Sequence, residues 1–168
     1  VVIPWAQGHD LERPCAVGDG MTVKVNANLG TSPDKCDVKM ELRKLKAAVD
    51  AGAHAVMDLS TGGDLREIRK AVREQCPISL GSVPIYEAGH MTINRGDPFR
   101  KMTTQDMLEA IRLHVDDGVD FITVHCGITL RAIEFLRSKP RICGVVSRGG
   151  SLLARWMVAN KQENPLYE

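Results

Sequence analysis

The chain has 168 residues, 43% of them hydrophobic and 26% charged, with 22 Lys and Arg against 21 Asp and Glu for a formal net charge of +1. That balance supplies enough apolar side chains for a core and excludes a disordered or fibrous polymer. With no basic cluster to attract nucleic acid or an anionic membrane surface, small molecules are the expected partners.

No apolar run approaches the roughly 20 residues of a membrane helix. The opening VVIPWAQGHD lacks the charged and apolar regions of a signal peptide, so the expected compartment is the cytoplasm. Cys15, Cys36, Cys76, Cys126 and Cys143 are odd in number, widely spaced and never C-x-x-C, which argues against a disulfide framework or a zinc knuckle. The histidines His9, His54, His90, His114 and His125 show no H-E-x-x-H spacing, so no metal site is readable.

After a lead-in segment at 1–20, one grammar repeats over 21–168: apolar strand, capped loop, amphipathic helix, short turn. TVKVNAN (22–28) is the first predicted strand. Val38, Leu42, Leu45, Ala48 and Val49 then recur at helical spacing, with Gly52 as the stop. HAVMDLS follows as strand two. Asp64 and Glu67 form a capping box for LREIRKAVRE, and Pro77 ends that helix before the predicted strand ISLGSVPIY. The stretch 87–102 reads as a long loop, a candidate lid or binding loop. Thr103 with Asp106 caps TQDMLEAIRLHVDD, Gly118 ends it, and VDFITVHCG is strand four. LRAIEFLRSK is the next helix, ICGVVSR the fifth strand, and SLLARWMVANK a further helix.

Nearly continuous apolar strands alternating with helices imply α/β architecture with parallel pairing. A doubly wound sheet and a (β/α)8 barrel both fit. The barrel is preferred because the first turn lacks G-x-G-x-x-G and unusual residues cluster at strand ends, where barrels hold their sites. A barrel takes about 250 residues, so the expectation is a partial TIM barrel of about five strand-helix units.

The predicted strand ends carry Asn26 and Asn28, Met57 and Asp58, Tyr86, His125, and finally Ser147, Arg148 and Gly149. Each alone has a bland alternative. Met57 can be core filler, Tyr86 a strand cap with a wet hydroxyl, and His125 a satisfied core histidine. Cys126 alternates to the opposite face and reads as packing. SRGGS at a strand-to-helix junction suits an anion such as phosphate, since its glycines admit close approach and its helix start and Arg148 favour negative charge. A glycine turn chosen only for backbone geometry is the alternative.

Taken in order, KVNANLGTSPD, VMDLSTGGD, GSVPIYEA, FITVHCG, VVSRGGS and ENPLYE resemble the phosphomethylpyrimidine synthase family over nearly the whole chain. The resemblance implies a (β/α)8 homodimer. It also implies a lyase that converts 5-aminoimidazole ribotide to the hydroxymethylpyrimidine phosphate of thiamine, using S-adenosylmethionine and a [4Fe-4S] cluster. Carried over by position, it implies that Asn28, Met57, Tyr86, His125, Ser147, Arg148 and Gly149 bind the ribotide. The family's C-x-x-C-x4-C cluster motif and the two histidines of its mononuclear zinc or iron site are expected beyond Glu168, so these residues alone should be inactive. HCG stands where some members carry HAG, which leaves His125 intact. The relative 5-hydroxybenzimidazole synthase shares similar motifs, and an inert phosphate-ligand-binding fragment is a further alternative.

Overall fold

The strands of this protein all run parallel, in the sequential order β1-β2-β3-β4, and a computed structural model describes residues 1–167 of it. β1 (Asn26–Leu29), β2 (Ala55–Asp58), β3 (Ser79–Ser82) and β4 (Phe121–Ile122) form the sheet. α1 (Val38–Asp50), α2 (Leu65–Gln75), α3 (Pro84–Asn94), α4 (Thr104–Asp116), α5 (Leu130–Ser138) and α6 (Arg148–Asn160) are the helices, with a 3-10 turn at Phe99–Lys101. Among the described residues no helix is long and apolar enough to cross a membrane.

Local chemistry sets most helix ends. The Asp37, Asp64, Thr129 and Ser147 side chains each accept a first-turn amide, of Met40, Glu67, Ala132 and Gly150 respectively. Thr103 and Asp106 complete a reciprocal capping box, and the guanidinium of Arg95 holds the Asp106 carboxyl well below the usual range. Gly52 and Gly118 follow α1 and α4 at φ +86 and +75, the left-handed backbone that ends a helix without strain.

Four expectations require correction. Strand four, expected over VDFITVHCG, pairs only at Phe121–Ile122. The first strand begins at Asn26 rather than at 22, and Val25 instead donates its amide to the His54 ring. The long loop is largely a helix: β3 stops at Ser82 and α3 runs from Pro84 through Asn94. Proline at the first helical position costs no hydrogen bond there, and Ile85, Ala88, Gly89 and Thr92 recur at helical spacing on a buried face. The fifth strand does not form. Ile142 is fully exposed and Val146 is 72% exposed, because β4 has only two residues and leaves no ladder to pair against.

The core has two centres. Leu29, Leu45, Val56, Val72, Ile78 and Leu80 pack between the sheet and the helices on one of its faces. Ala88, Met107, Ala110, Leu153, Trp156 and Met157 bring α3, α4 and α6 together. At its start the chain is tied down by His9, which is buried and bonds the Asp120 carboxylate at 2.7 Å and the Cys76 carbonyl at 2.7 Å.

A buried charge network joins α2, α3, α4 and β3. Arg69, 2% exposed, donates to Glu87 at 2.7 Å and to Asp117 at 2.5 Å. His114 donates Nε2 to Glu87 at 2.9 Å and accepts from the Ser82 hydroxyl at 2.7 Å through Nδ1. Burial pushes the Glu87 carboxyl up, but the His114 hydrogen bond and the Arg69 charge outweigh it and leave the group below its ordinary range. Asp117 is lowered in the same way: burial opposes and the bonds from Arg66 and Arg69 prevail.

Stripping one partner from such a network leaves buried charge uncompensated, so Arg69→Ala is expected to lower stability by about 3 to 5 kcal/mol at neutral pH. Both carboxyls are depressed in the folded state, so their contribution is present above the ordinary carboxylate range and lost as pH falls through the lowered values. Urea unfolding should therefore show the difference between wild type and Arg69→Ala shrinking as these carboxyls become protonated in acid. A constant difference across the acid range would contradict the assignment.

Candidate functional site

Sheet register places Asn28, Met57, Gly81 and Phe121 at one level, across four strands. Side chains alternate along a strand, so this level faces away from the Val56 and Leu80 side that the helices cover. The Phe121 ring lies directly on Gly81, where a Cβ would collide with it. Asn28 is exposed and accepts from the Asn26 amide at 3.0 Å. Met57 is half-buried, with its sulfur 3.9 Å from the Thr123 hydroxyl.

The other expected residues converge where β4 leaves the sheet and α6 begins. His125 lies three residues beyond the end of β4, not on the strand. Its Nε2 is 3.1 Å from the Ser147 hydroxyl. Ser147 is the cap of α6, and its Oγ accepts the Gly150 amide at 3.1 Å. Arg148 and Gly149 therefore form the first turn of a helix, not the end of a strand. Helix geometry leaves their two amides without an intrahelical acceptor.

Gly149 has a steric role as well. A Cβ there would run into the His125 ring, so the imidazole rests against this turn only because the side chain is missing. Tyr86, in the first turn of α3 rather than at a strand end, stacks under Arg148, whose guanidinium carbon is 5.4 Å from the ring centre. The structure thus gathers Tyr86, His125, Ser147, Arg148 and Gly149. Met57 shares an apolar cluster with Tyr86, while Asn28 stands apart on β1.

Electrostatics fit a neutral imidazole beside an anion-seeking helix end. Burial lowers the His125 pKa, because the cation would lose hydration with no carboxylate to replace it. Its Nδ1 is buried with no hydrogen-bond partner among the described residues, which is the group a bound ligand or water would satisfy. Thr123 and Gly81 escaped the sequence reading. Thr123 was within reach, since Phe121, Thr123 and His125 alternate to one face, but no sequence signal marks Gly81 as the seat of an aromatic ring.

No group of three or more His, Cys, Asp or Glu side chains among the described residues could hold a metal ion. Cys36, Cys126 and Cys143 are free, exposed and far apart in sequence. The model of the radical SAM ThiC family matches residues 1–168. The chain belongs to that family.

Its relatives in the radical SAM ThiC family include the phosphomethylpyrimidine synthase of Methanopyrus kandleri, 51% identical over 169 residues, covering 100% of this chain and 39% of the relative. That of Moorella thermoacetica is 52% identical over 99% of this chain and 39% of the relative. That of Pyrococcus abyssi is 49% identical over 95% of this chain and 37% of the relative. The chain spans about two fifths of the length of these curated relatives.

Ser147 has two partners, and they separate by substitution. Ser147→Ala should cost about 1 kcal/mol of stability through the lost cap. Ser147→Asp should restore the cap and, by setting a carboxylate against Nε2, raise the His125 pKa. Carbon-13 NMR titration of labelled histidine reads this directly; an unmoved His125 in Ser147→Asp would break the pairing.

Proposed function

We propose that this chain carries the ribotide-binding part of a phosphomethylpyrimidine synthase, a radical carbon-carbon lyase of thiamine biosynthesis acting on 5-aminoimidazole ribotide. The observation that carries the proposal is the contact between His125 and the α6 start, made through Ser147 and Gly149, in a chain of the radical SAM ThiC family. The sequential parallel sheet supports reading 21–168 as the first part of a (β/α)8 barrel, with 1–20 as a lead-in. A homodimer in the cytoplasm is the expected setting.

In this reading the phosphate sits at the α6 start. The free amides of Arg148 and Gly149 and the positive end of the helix attract it, and the guanidinium of Arg148 adds charge-assisted bonds. His125, neutral by burial, offers the imidazole or ribose a hydrogen bond and keeps it oriented. Asn28 supplies another polar contact from β1. Met57 and the Tyr86 ring wall the pocket and exclude water from reactive chemistry.

The radical chemistry belongs to S-adenosylmethionine and a [4Fe-4S] cluster, with a mononuclear zinc or iron site beside them. No group of His, Cys, Asp or Glu side chains among the described residues would hold either centre.

Two substitutions in the full-length protein test the ribotide site. Arg148→Ala should weaken ribotide binding by about 1.5 to 3 kcal/mol while leaving the dephosphorylated riboside nearly unchanged. Equal losses for both ligands in calorimetry would remove Arg148 from the phosphate. Gly149→Ala favours the helix by up to about 1 kcal/mol, so it should displace His125 and weaken ribotide binding without a matching loss of stability. Anaerobic turnover with ribotide, S-adenosylmethionine and reductant, followed by mass analysis, should yield a pyrimidine phosphate; a benzimidazole would overturn the assigned product.

A further inference from the structure

We propose that Asn164 is a positioning residue of the ribotide site, acting through the backbone of His125. The inference rests on the reading of His125 as a ribotide ligand. Thr123 donates the last amide of the β4 ladder, to the Ser82 carbonyl at 2.8 Å, and the chain then turns at 126 and 127 before α5. His125 therefore lies where the sheet no longer dictates the backbone. Its side chain is held by Ser147, and its carbonyl needs another partner.

Asn164 supplies it from the far side of α6. The residue is only 3% exposed, and its amide nitrogen lies 2.8 Å from the His125 carbonyl, 3.2 Å from that of Cys126 and 3.0 Å from that of Ile128. Two hydrogens serve three acceptors, so one is shared. The side-chain oxygen accepts the Leu166 amide at 3.0 Å, which leaves the group fully satisfied and its orientation unambiguous. Next to it, the Glu163 carboxylate accepts the Leu130 amide at 3.0 and 3.2 Å. Consecutive residues thus grip both ends of the 125–130 turn.

The chemistry is specific to an amide. A carboxylate of the same shape would turn acceptors toward three carbonyl oxygens, and a hydroxyl would donate to only one of them. Either change should loosen the turn that sets the height of the imidazole above Gly149, while the apolar packing of Leu153 and Trp156 remains.

The test uses the full-length protein, with 5-aminoimidazole ribotide and S-adenosylmethionine titrated separately by calorimetry. Asn164→Asp is expected to weaken ribotide binding about tenfold, leave S-adenosylmethionine affinity unchanged, and add no further loss in an His125→Ala background. Asn164→Ser, which removes the amide without adding charge, gives the same comparison if the aspartate variant does not fold. Wild-type ribotide affinity in Asn164→Asp, equal weakening of both ligands, or additive losses in the double variant would overturn the inference while leaving His125 in place. Failure of both Asn164 variants to fold would make the residue a determinant of the fold and overturn it as well. If His125→Ala itself bound ribotide normally, the site reading would fall, and the inference with it.

Discussion

A parallel sheet whose strands pair in sequence order must send every connection back over itself, and right-handed crossovers put those connections on one face. Most of the architecture follows from that constraint. Val56, Asp58, Leu80 and Ser82 are buried on the covered side, and Asn28 and Met57 are left on the other. Each crossover begins at the carboxyl end of its strand, so capped helix starts such as those at Asp37 and Asp64 gather along one edge. The α6 start with Ser147 belongs to the same kind of junction, even though its preceding segment is not a strand.

What sits at that edge has to be held still, and the molecule uses charge for part of this. Glu87 is fixed by Arg69 and His114, and its neighbour in the same helical turn is Tyr86, which lies under Arg148. The buried network and the candidate site are thus two sides of α3. Such networks do little for net stability compared with an apolar replacement, but losing one member is expensive, which makes them good at fixing a geometry. The missing side chain at Gly149 does the complementary job by letting the imidazole approach the helix backbone.

Much of this was legible in the sequence, for local reasons. The caps at Asp64 and Thr103 and the stops at Gly52 and Gly118 depend on residues within one helical turn, and all four form, although Asp64 makes only its own half of the box expected with Glu67. The residues expected at one mouth, from Tyr86 to Gly149, do largely meet, although none stands at a strand end: the α3 start, the segment after β4 and the α6 start come together instead. The misreadings were non-local. ISLGSVPIY is an apolar run whose length favoured a strand, yet Pro84 starts a helix whose small buried face hides its period. ICGVVSR has strand composition, but a strand exists only with a partner, and β4 offers two residues. The Arg69 network and the Asn164 clamp join residues 48 and 39 positions apart, a pairing no spacing rule reports.

A structure of the full-length protein with 5-aminoimidazole ribotide bound tests the α6 start as the phosphate site. The phosphate is expected at the start of α6, within hydrogen-bonding distance of the Arg148 and Gly149 amides, and the imidazole or ribose against His125. A phosphate held elsewhere, with the α6 start facing only water, would contradict it.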